Sequence, residues 1–185
     1  HPAGPIAWWA NINRGDRFTY LVSMSSKSPG LNRYLARTFG ANHPNAKRKF
    51  ANGDVNATLL MTENGVLVTL THDTQLPRPY SDSGDTNIPL MVLRLQGTDG
   101  IFSGSLDRIY VDGRSPQLHK WEDPAPYYKQ YDHELWRVLG DVAAQSEHGG
   151  EDYITLHQFV RAVRNRTQTP VDVYDSAAWS AIGPL

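Results

Sequence analysis

Asn64-Gly65, set between two runs rich in apolar and β-branched residues, is the feature that most restricts how this chain can fold. An Asn-Gly pair takes the two positive-φ positions of a type I′ turn at little cost, so residues 55–62 and 66–72 are expected to pair as an antiparallel hairpin. Counting outward from a two-residue turn sets Met61 opposite Val68, Leu59 opposite Leu70 and Ala57 opposite His72. The apolar face of the hairpin then ends at a histidine. Further short strands follow near 92–96, 101–103 and 108–111, punctuated by Gly97, Gly100 and Asp112-Gly113.

Upstream, Phe18, Tyr20, Val22 and Met24 on one side alternate with Thr19, Leu21 and Ser23 on the other, as in a half-buried strand. A short helix is expected to open at Gly4-Pro5, with Ile6, Trp9, Ala10 and Asn13 on one face. A second helix is expected from Ser28 as N-cap and Pro29 in the first turn, with Leu31, Tyr34, Leu35 and Phe39 at helical spacing before Gly40. Later, Leu135, Val138, Leu139, Val142 and Ala143 draw an apolar helix face, and Leu156, Phe159, Val160 and Val163 draw another, which Thr155 is expected to cap. Residues 172–179 predict a short last helix. With no β-α-β alternation and no internal repeat, the order predicts an α+β fold: an open, predominantly antiparallel sheet with helices packed on one face.

The chain has 185 residues, the size of one domain, and is read as a single α+β domain over 1–185. Its 18 Lys and Arg against 19 Asp and Glu leave a net charge of -1, which excludes a basic nucleic-acid arm and a disordered acidic tail. With 0 Cys there is neither a disulfide framework nor a thiolate metal site. No stretch reaches the roughly 18 consecutive apolar residues of a membrane helix, so no membrane insertion is expected. The first residue is His1 rather than Met, and residues 1–5 read like the inside of a loop, so the chain is expected to be the later part of a longer one.

Among chemical signatures, the chain has no P-loop, no Gly-x-Gly-x-x-Gly, no Gly-x-Ser-x-Gly and no His-Glu-x-x-His. His133-Glu134 opens like a zinc helix, but position 137 is Arg, so no metal is expected. Lys47, Arg48 and Lys49 read as a solvated surface. Two prolines hold Arg78 and then Tyr80 in a stiff, extended presentation just past the hairpin, within the segment running from His72 to Ser81. Such rigidity suits binding, although Arg78 paired with a surface carboxylate and Tyr80 packed on the sheet would account for the same residues. Tyr127, Tyr128 and Tyr131 lie in a stretch read as loop and lean toward packing or subunit contact over ligand binding. His148-Gly149-Gly150 reads more economically as a glycine turn between two helices than as a phosphate nest.

Several segments are longer than such generic signals. Asn11-Ile12-Asn13-Arg14-Gly15-Asp16-Arg17, Tyr20-Leu21-Val22-Ser23-Met24-Ser25-Ser26, Gly53-Asp54-Val55-Asn56, His72-Asp73-Thr74, Pro77-Arg78-Pro79-Tyr80-Ser81, Gln96-Gly97-Thr98 and His148-Gly149-Gly150 occur in order through the chain. In these the sequence resembles glycoside hydrolase family 109, the α-N-acetylgalactosaminidases of the Gfo/Idh/MocA oxidoreductase-like superfamily, along its full length. The resemblance implies the carboxy-terminal α+β part of such an enzyme, whose amino-terminal Rossmann domain, absent from this chain, holds NAD. It implies cleavage of terminal α-linked N-acetylgalactosamine by transient oxidation at C3, elimination, addition of water and return of the hydride. This route dispenses with the two facing carboxylates of ordinary glycosidases.

By the same resemblance, His1-Pro2-Ala3-Gly4-Pro5 matches the family's His-Gly-x-Gly-Pro, with Pro2 in place of the glycine, and makes His1 the catalytic acid/base and a sugar contact. Tyr80 matches the tyrosine that contacts the sugar. Arg78 and His72 are supporting candidates with no role carried over, and no residue of this chain is expected to bind NAD. Residues 82–91 depart from the family's link in length and composition. Pairing of copies through the open sheet and a bacterial periplasmic, envelope or secreted location are further implications. The readings that compete are a non-catalytic sugar-binding or oligomerisation domain, and a sugar oxidoreductase of the same superfamily. Without its NAD domain the isolated chain is expected to be inactive.

Overall fold

The structure is a computed structural model that describes residues 3–73, 76–77 and 93–184. Along the chain run α1 (Ala3–Trp9), β1 (Phe18–Ser25), α2 (Pro29–Phe39), β2 (Val55–Thr62), β3 (Leu67–Asp73), β4 (Arg94–Gln96), β5 (Gly100–Ser103) and β6 (Arg108–Val111). After these come α3 (Ala125–Tyr131), α4 (Glu134–Ala143), α5 (Glu151–Asn165) and α6 (Val173–Ala181), with 3-10 turns at Pro44–Lys47 and His148–Gly150. The α+β class expected from the sequence holds. The described strands fall into two three-stranded antiparallel sheets, β1-β2-β3 and β4-β5-β6, where one open sheet was expected. The chain divides into two compact units: His1–Arg78 with Val171–Leu185, and Pro79–Pro170.

In the first unit the hairpin forms, but one residue out of the expected register. Leu60 faces Val68, Thr58 faces Leu70 and Asn56 faces His72, so Ala57 meets Thr71, Leu59 meets Thr69 and Met61 meets Leu67. The physical reason is the turn. Thr62 N–H donates to Val66 O at 3.0 Å, Val66 N–H donates to the Thr62 hydroxyl at 3.0 Å, and Gly65 N–H donates to Thr62 O at 3.1 Å. Glu63, Asn64 and Gly65 thus form a three-residue loop with Gly65 in the left-handed region at φ 85°. The Asp16 carboxylate accepts from Asn64 N–H at 3.1 Å, and Gly15 O accepts from the Asn64 side chain at 3.1 Å. Those contacts hold Asn64 where a free type I′ turn would have released it.

The buried face of β2 consequently carries Thr58, Leu60 and Thr62. β1 has a bulge between Phe18 and Tyr20, which moves Phe18 to the face opposite Tyr20, Val22 and Met24 instead of the same one. Phe18 and Leu21 join Leu60, Ile12, Ala178 and Ala181 of α6 and the following Ile182 around a cavity of about 310 Å3. Helix α6 therefore lies over this face. On the other face Tyr20 is 67% and Met24 78% exposed, beside exposed Val22, Leu59 and Leu67.

Helix α1 stops at Trp9, short of the expected face through Asn13, because Asn11 and Asn13 take left-handed φ values of 54° and 65°. Small residues let it approach α6 closely, since a Cβ on Gly4 would stand 3.3 Å from the Trp179 ring. In α2 the Ser28 hydroxyl makes no capping bond. The Asp54 carboxylate replaces it, accepting from Gly30 N–H at 2.7 Å and Leu31 N–H at 3.4 Å. Asp54 is buried, and its neighbour Gly53 has no room for a side chain, as a Cβ there would sit 2.2 Å from Ser26 O.

In the second unit Tyr127, Tyr128 and Tyr131 lie on α3, where a loop was expected. The Asp123 carboxylate accepts from Ala125 N–H at 2.8 Å to start this helix, and Pro126 stands in its first turn. Helix α5 begins at Glu151, so Thr155 lies inside it and caps nothing. Leu156, Phe159, Val160 and Val163, expected to be buried, are exposed, as are Val138 and Val142 of α4; Ala143 and Ala162 are buried. The glycine turn between α4 and α5 is present, with Gly149 at φ 64° and Gly150 at φ 95°.

Candidate functional site

His72 comes at the end of β3, on the face shared by Leu60, Val68 and Leu70, and is exposed. The expected histidine at the end of the apolar face is therefore present, opposite Asn56 in place of Ala57. Past Asp73, Leu76 N–H donates back to the Asp73 carboxylate at 3.4 Å. Leu76 and Pro77 then lie against α2, where a Cβ on Gly30 would meet the Leu76 side chain at 2.9 Å. Between them is a groove of about 530 Å3, lined by Pro29, Arg33, Tyr34, Arg37, Leu76 and Pro77.

His1, Arg78, Tyr80 and the stretch 82–91 lie outside the described residues. The structure describes the chain to within two residues of His1, at the start of α1, and to the residue before Arg78, at Pro77. Both points are tied down. Helix α1 rests on α6, and the loop after it is locked by Arg14, whose two terminal nitrogens donate to the Asp175 carboxylate at 2.7 and 2.6 Å. Asp175 is 1% exposed and also closes a reciprocal capping box with Asp172 at the start of α6. The Arg14 guanidinium holds its carboxyl down at about 2, against a burial effect in the other direction. Burial pushes the Asp16 carboxyl upward, but the Thr62 hydroxyl and the N–H groups of Arg17, Asn64 and Glu63 outweigh it and leave the group below its ordinary value.

In the second unit the polar cluster around Glu122 and Arg114 is internally satisfied. The Tyr127 and Ser115 hydroxyls both donate to Glu122, lowering its pKa, while burial and then Glu122 raise that of Tyr127. Arg114 stacks 4.2 Å from the Tyr127 ring and donates to the Tyr131 hydroxyl at 2.9 Å. Burial, with Asp107 accepting from its hydroxyl, pushes Tyr128 up to about 12. These tyrosines pack and brace. His133 caps α4 by accepting from Leu135 N–H at 3.1 Å, which accounts for the histidine that opened like a zinc helix. Among the described residues no group of three or more His, Asp or Glu is placed to hold a metal.

The Gly149-Gly150 turn does not fit the pyrophosphate of NAD. The one paired glycine turn with positive φ, at Gly149 and Gly150, is pressed against Ala143, whose backbone a Gly150 Cβ would meet at 2.8 Å. It opens onto Glu151 and Asp152, charges that repel a pyrophosphate.

Comparison with known proteins decides what this framework is. The family model for the C-terminal domain of glycosyl hydrolase 109 matches residues 1–185. The chain belongs to that family. Among glycosyl hydrolase 109 relatives, an alpha-N-acetylgalactosaminidase of Tannerella forsythia is 44% identical over 185 residues, which are 100% of this chain and 37% of the relative. A glycosyl hydrolase family 109 protein of Parabacteroides distasonis is 42% identical over 100% of this chain and 38% of its own length. An alpha-N-acetylgalactosaminidase of Shewanella oneidensis is 41% identical over 100% of this chain and 39% of its own. The chain thus spans less than two-fifths of the relatives it matches. Within the glycosyl hydrolase 109 domain, the sequence reading set Tyr34 on the apolar face of the second helix and passed over Arg33 and Arg37 of the groove. The signal for them was an arginine pair four apart on the second helix.

Proposed function

We propose that this chain is the substrate-binding part of an NAD-dependent α-N-acetylgalactosaminidase, acting on terminal α-linked N-acetylgalactosamine of glycans. The observation that carries this reading is the family match over all 185 residues, supported by relatives that bear the name alpha-N-acetylgalactosaminidase. His1 serves as acid/base and sugar contact, with an imidazole suited to proton transfer near neutral pH. Tyr80 binds the sugar, while Arg78 and His72 support it. The cofactor is held by residues other than these, in an upstream Rossmann domain, and this chain holds the ring and moves the proton. No observation favours a sugar oxidoreductase or a domain that only binds.

Two further parts of the reading concern the whole protein. The exposed apolar face of Tyr20, Val22, Met24, Leu59 and Leu67 supports pairing of copies through the first sheet. No described helix is long and apolar enough to cross a membrane. A bacterial periplasmic, envelope or secreted location follows from the family resemblance.

The test is release of a chromophore from an α-linked N-acetylgalactosaminide by the protein carrying this chain, with NAD+ supplied and removed. NAD+-dependent release is expected, with His1→Ala lowering kcat by about 10²–10⁴-fold and Tyr80→Phe acting mainly on KM. Release that persists unchanged in His1→Ala would remove the acid/base assignment.

A further inference from the structure

Residues 26–53 contain Lys27, Arg33, Arg37, Lys47, Arg48 and Lys49 and not one of the chain's 19 Asp and Glu. This segment folds as α2 and the Pro44–Lys47 turn, joined by the Asn32 side chain donating to Arg48 O at 2.9 Å and Asn45 O at 3.3 Å. A concentration of one sign in a chain of net charge -1 is a field with a direction.

Two of the six cations stand apart. Arg33 and Arg37 are four residues apart on α2, which brings like charges together at a cost, and both line the groove beside Leu76 and Pro77. Neither makes an ion pair or side-chain hydrogen bond among the described residues. Arg14 is taken by Asp175, Arg17 by Glu63 and Arg114 by Gln130 and Tyr131, whereas Arg161, Arg164 and Arg166 are, among the described residues, as unpaired as Arg33 and Arg37, so it is the shared groove that sets these two apart. The last turn of α2 favours Arg37, but Arg33 lies in the middle of the helix and gains nothing there. The helix start is not the attraction for an anion either, because the Asp54 carboxylate already fills it.

The rest of the lining suits a carbohydrate. Pro29, Leu76 and Pro77 give an apolar floor for the C–H face of a sugar ring, and Tyr34, 57% exposed, adds a ring and a hydroxyl at the rim. The volume of about 530 Å3 falls within the range of small-molecule sites, about 300–1,000 Å3. Guanidinium forks match the two-oxygen edges of carboxylate and sulfate. Pro77 also precedes Tyr80 by only three residues, which at full extension reach roughly 11 Å.

We propose that Arg33 and Arg37 form a subsite for an acidic group, carboxylate or sulfate, on the sugars that follow the terminal N-acetylgalactosamine. This rests on the reading that Tyr80 contacts that terminal sugar, and it makes the protein selective for acidic glycans.

The experiment measures binding of the protein carrying this chain to an α-N-acetylgalactosaminyl-galactose disaccharide with and without a sulfate on the galactose. Chondroitin sulfate and chemically desulfated chondroitin are run beside it. The sulfated disaccharide is expected to bind about tenfold more tightly. Arg33→Gln with Arg37→Gln brings that ratio near one, whereas Lys47→Gln with Lys49→Gln, the same charge removed outside the groove, leaves it. Arg33→Lys with Arg37→Lys, which keeps charge but not the fork, gives an intermediate ratio. A wild-type ratio near one, or an equal fall in the arginine and lysine double variants, overturns the proposal. So does binding to phosphatidylglycerol vesicles that the arginine variant loses while the disaccharide ratio is one. If neither disaccharide binds but chondroitin sulfate does, and the arginine variant abolishes this, the acidic-glycan groove stands and the α-N-acetylgalactosaminidase reading falls.

Discussion

Asp175 joins residues far apart in the chain: its carboxylate takes both terminal nitrogens of Arg14 and the side chain of Asn13. Because its folded pKa is about 2 and its ordinary value 3.8, the stability it contributes is complete above about pH 4 and is lost as pH falls toward 2. Thermal unfolding should show Asp175→Asn several degrees below wild type at pH 7, with the gap closing between pH 4 and 2. A gap that stays constant would mean that the loss is packing alone. Gly53→Ala tests a different limit. Its Cβ would meet backbone at 2.2 Å, so a loss of about 3 kcal/mol is expected in denaturant unfolding. The residue motifs were readable as blocks, including Gly53-Asp54 and Asn13-Arg14-Gly15-Asp16, but not their roles. Nothing local tells that Asp54 caps a helix 24 residues before it or that Asp175 answers Arg14.

Among elements, the hairpin shows where pattern reading stops. Its two strands and its turn region were legible from Asn64-Gly65, yet Asp16, more than 40 residues away, accepts from the turn's N–H and the register moves by one. The polar face of β2, with Thr58 and Thr62 buried, carries no signal of its own because hydroxyls that bond within the sheet pass for surface residues. The bulge in β1 was equally silent in the alternation. In α2 the cap came from outside the helix, and Asp54→Ala should cost about 1 kcal/mol. Hydrogen exchange would detect it as faster exchange at Leu31, whose N–H loses its acceptor, with the β2-β3 pairs unchanged.

At the scale of the whole molecule, the α+β class was legible and the division of the strands into two sheets was not, since strand order depends on partners that alternation does not name. Surfaces that the pattern marks as interior, the outer face of the first sheet and the apolar stripes of α4 and α5, are open in this chain. If the sheet face pairs copies, Met24→Lys with Leu67→Glu should convert a larger species to a smaller one in sedimentation, with the circular dichroism unchanged; a wild type that is monomeric at micromolar concentration would remove that role. The first unit is also made of two stretches of chain, and its closing helix α6 lies beyond the whole of the second. During synthesis residues 79–170 must therefore leave the ribosome before the pocket around Ile12 and Leu60 can be sealed. Until then the first sheet waits half-covered, exposed to holdase chaperones, and its completion is timed by translation of a segment that is not part of it.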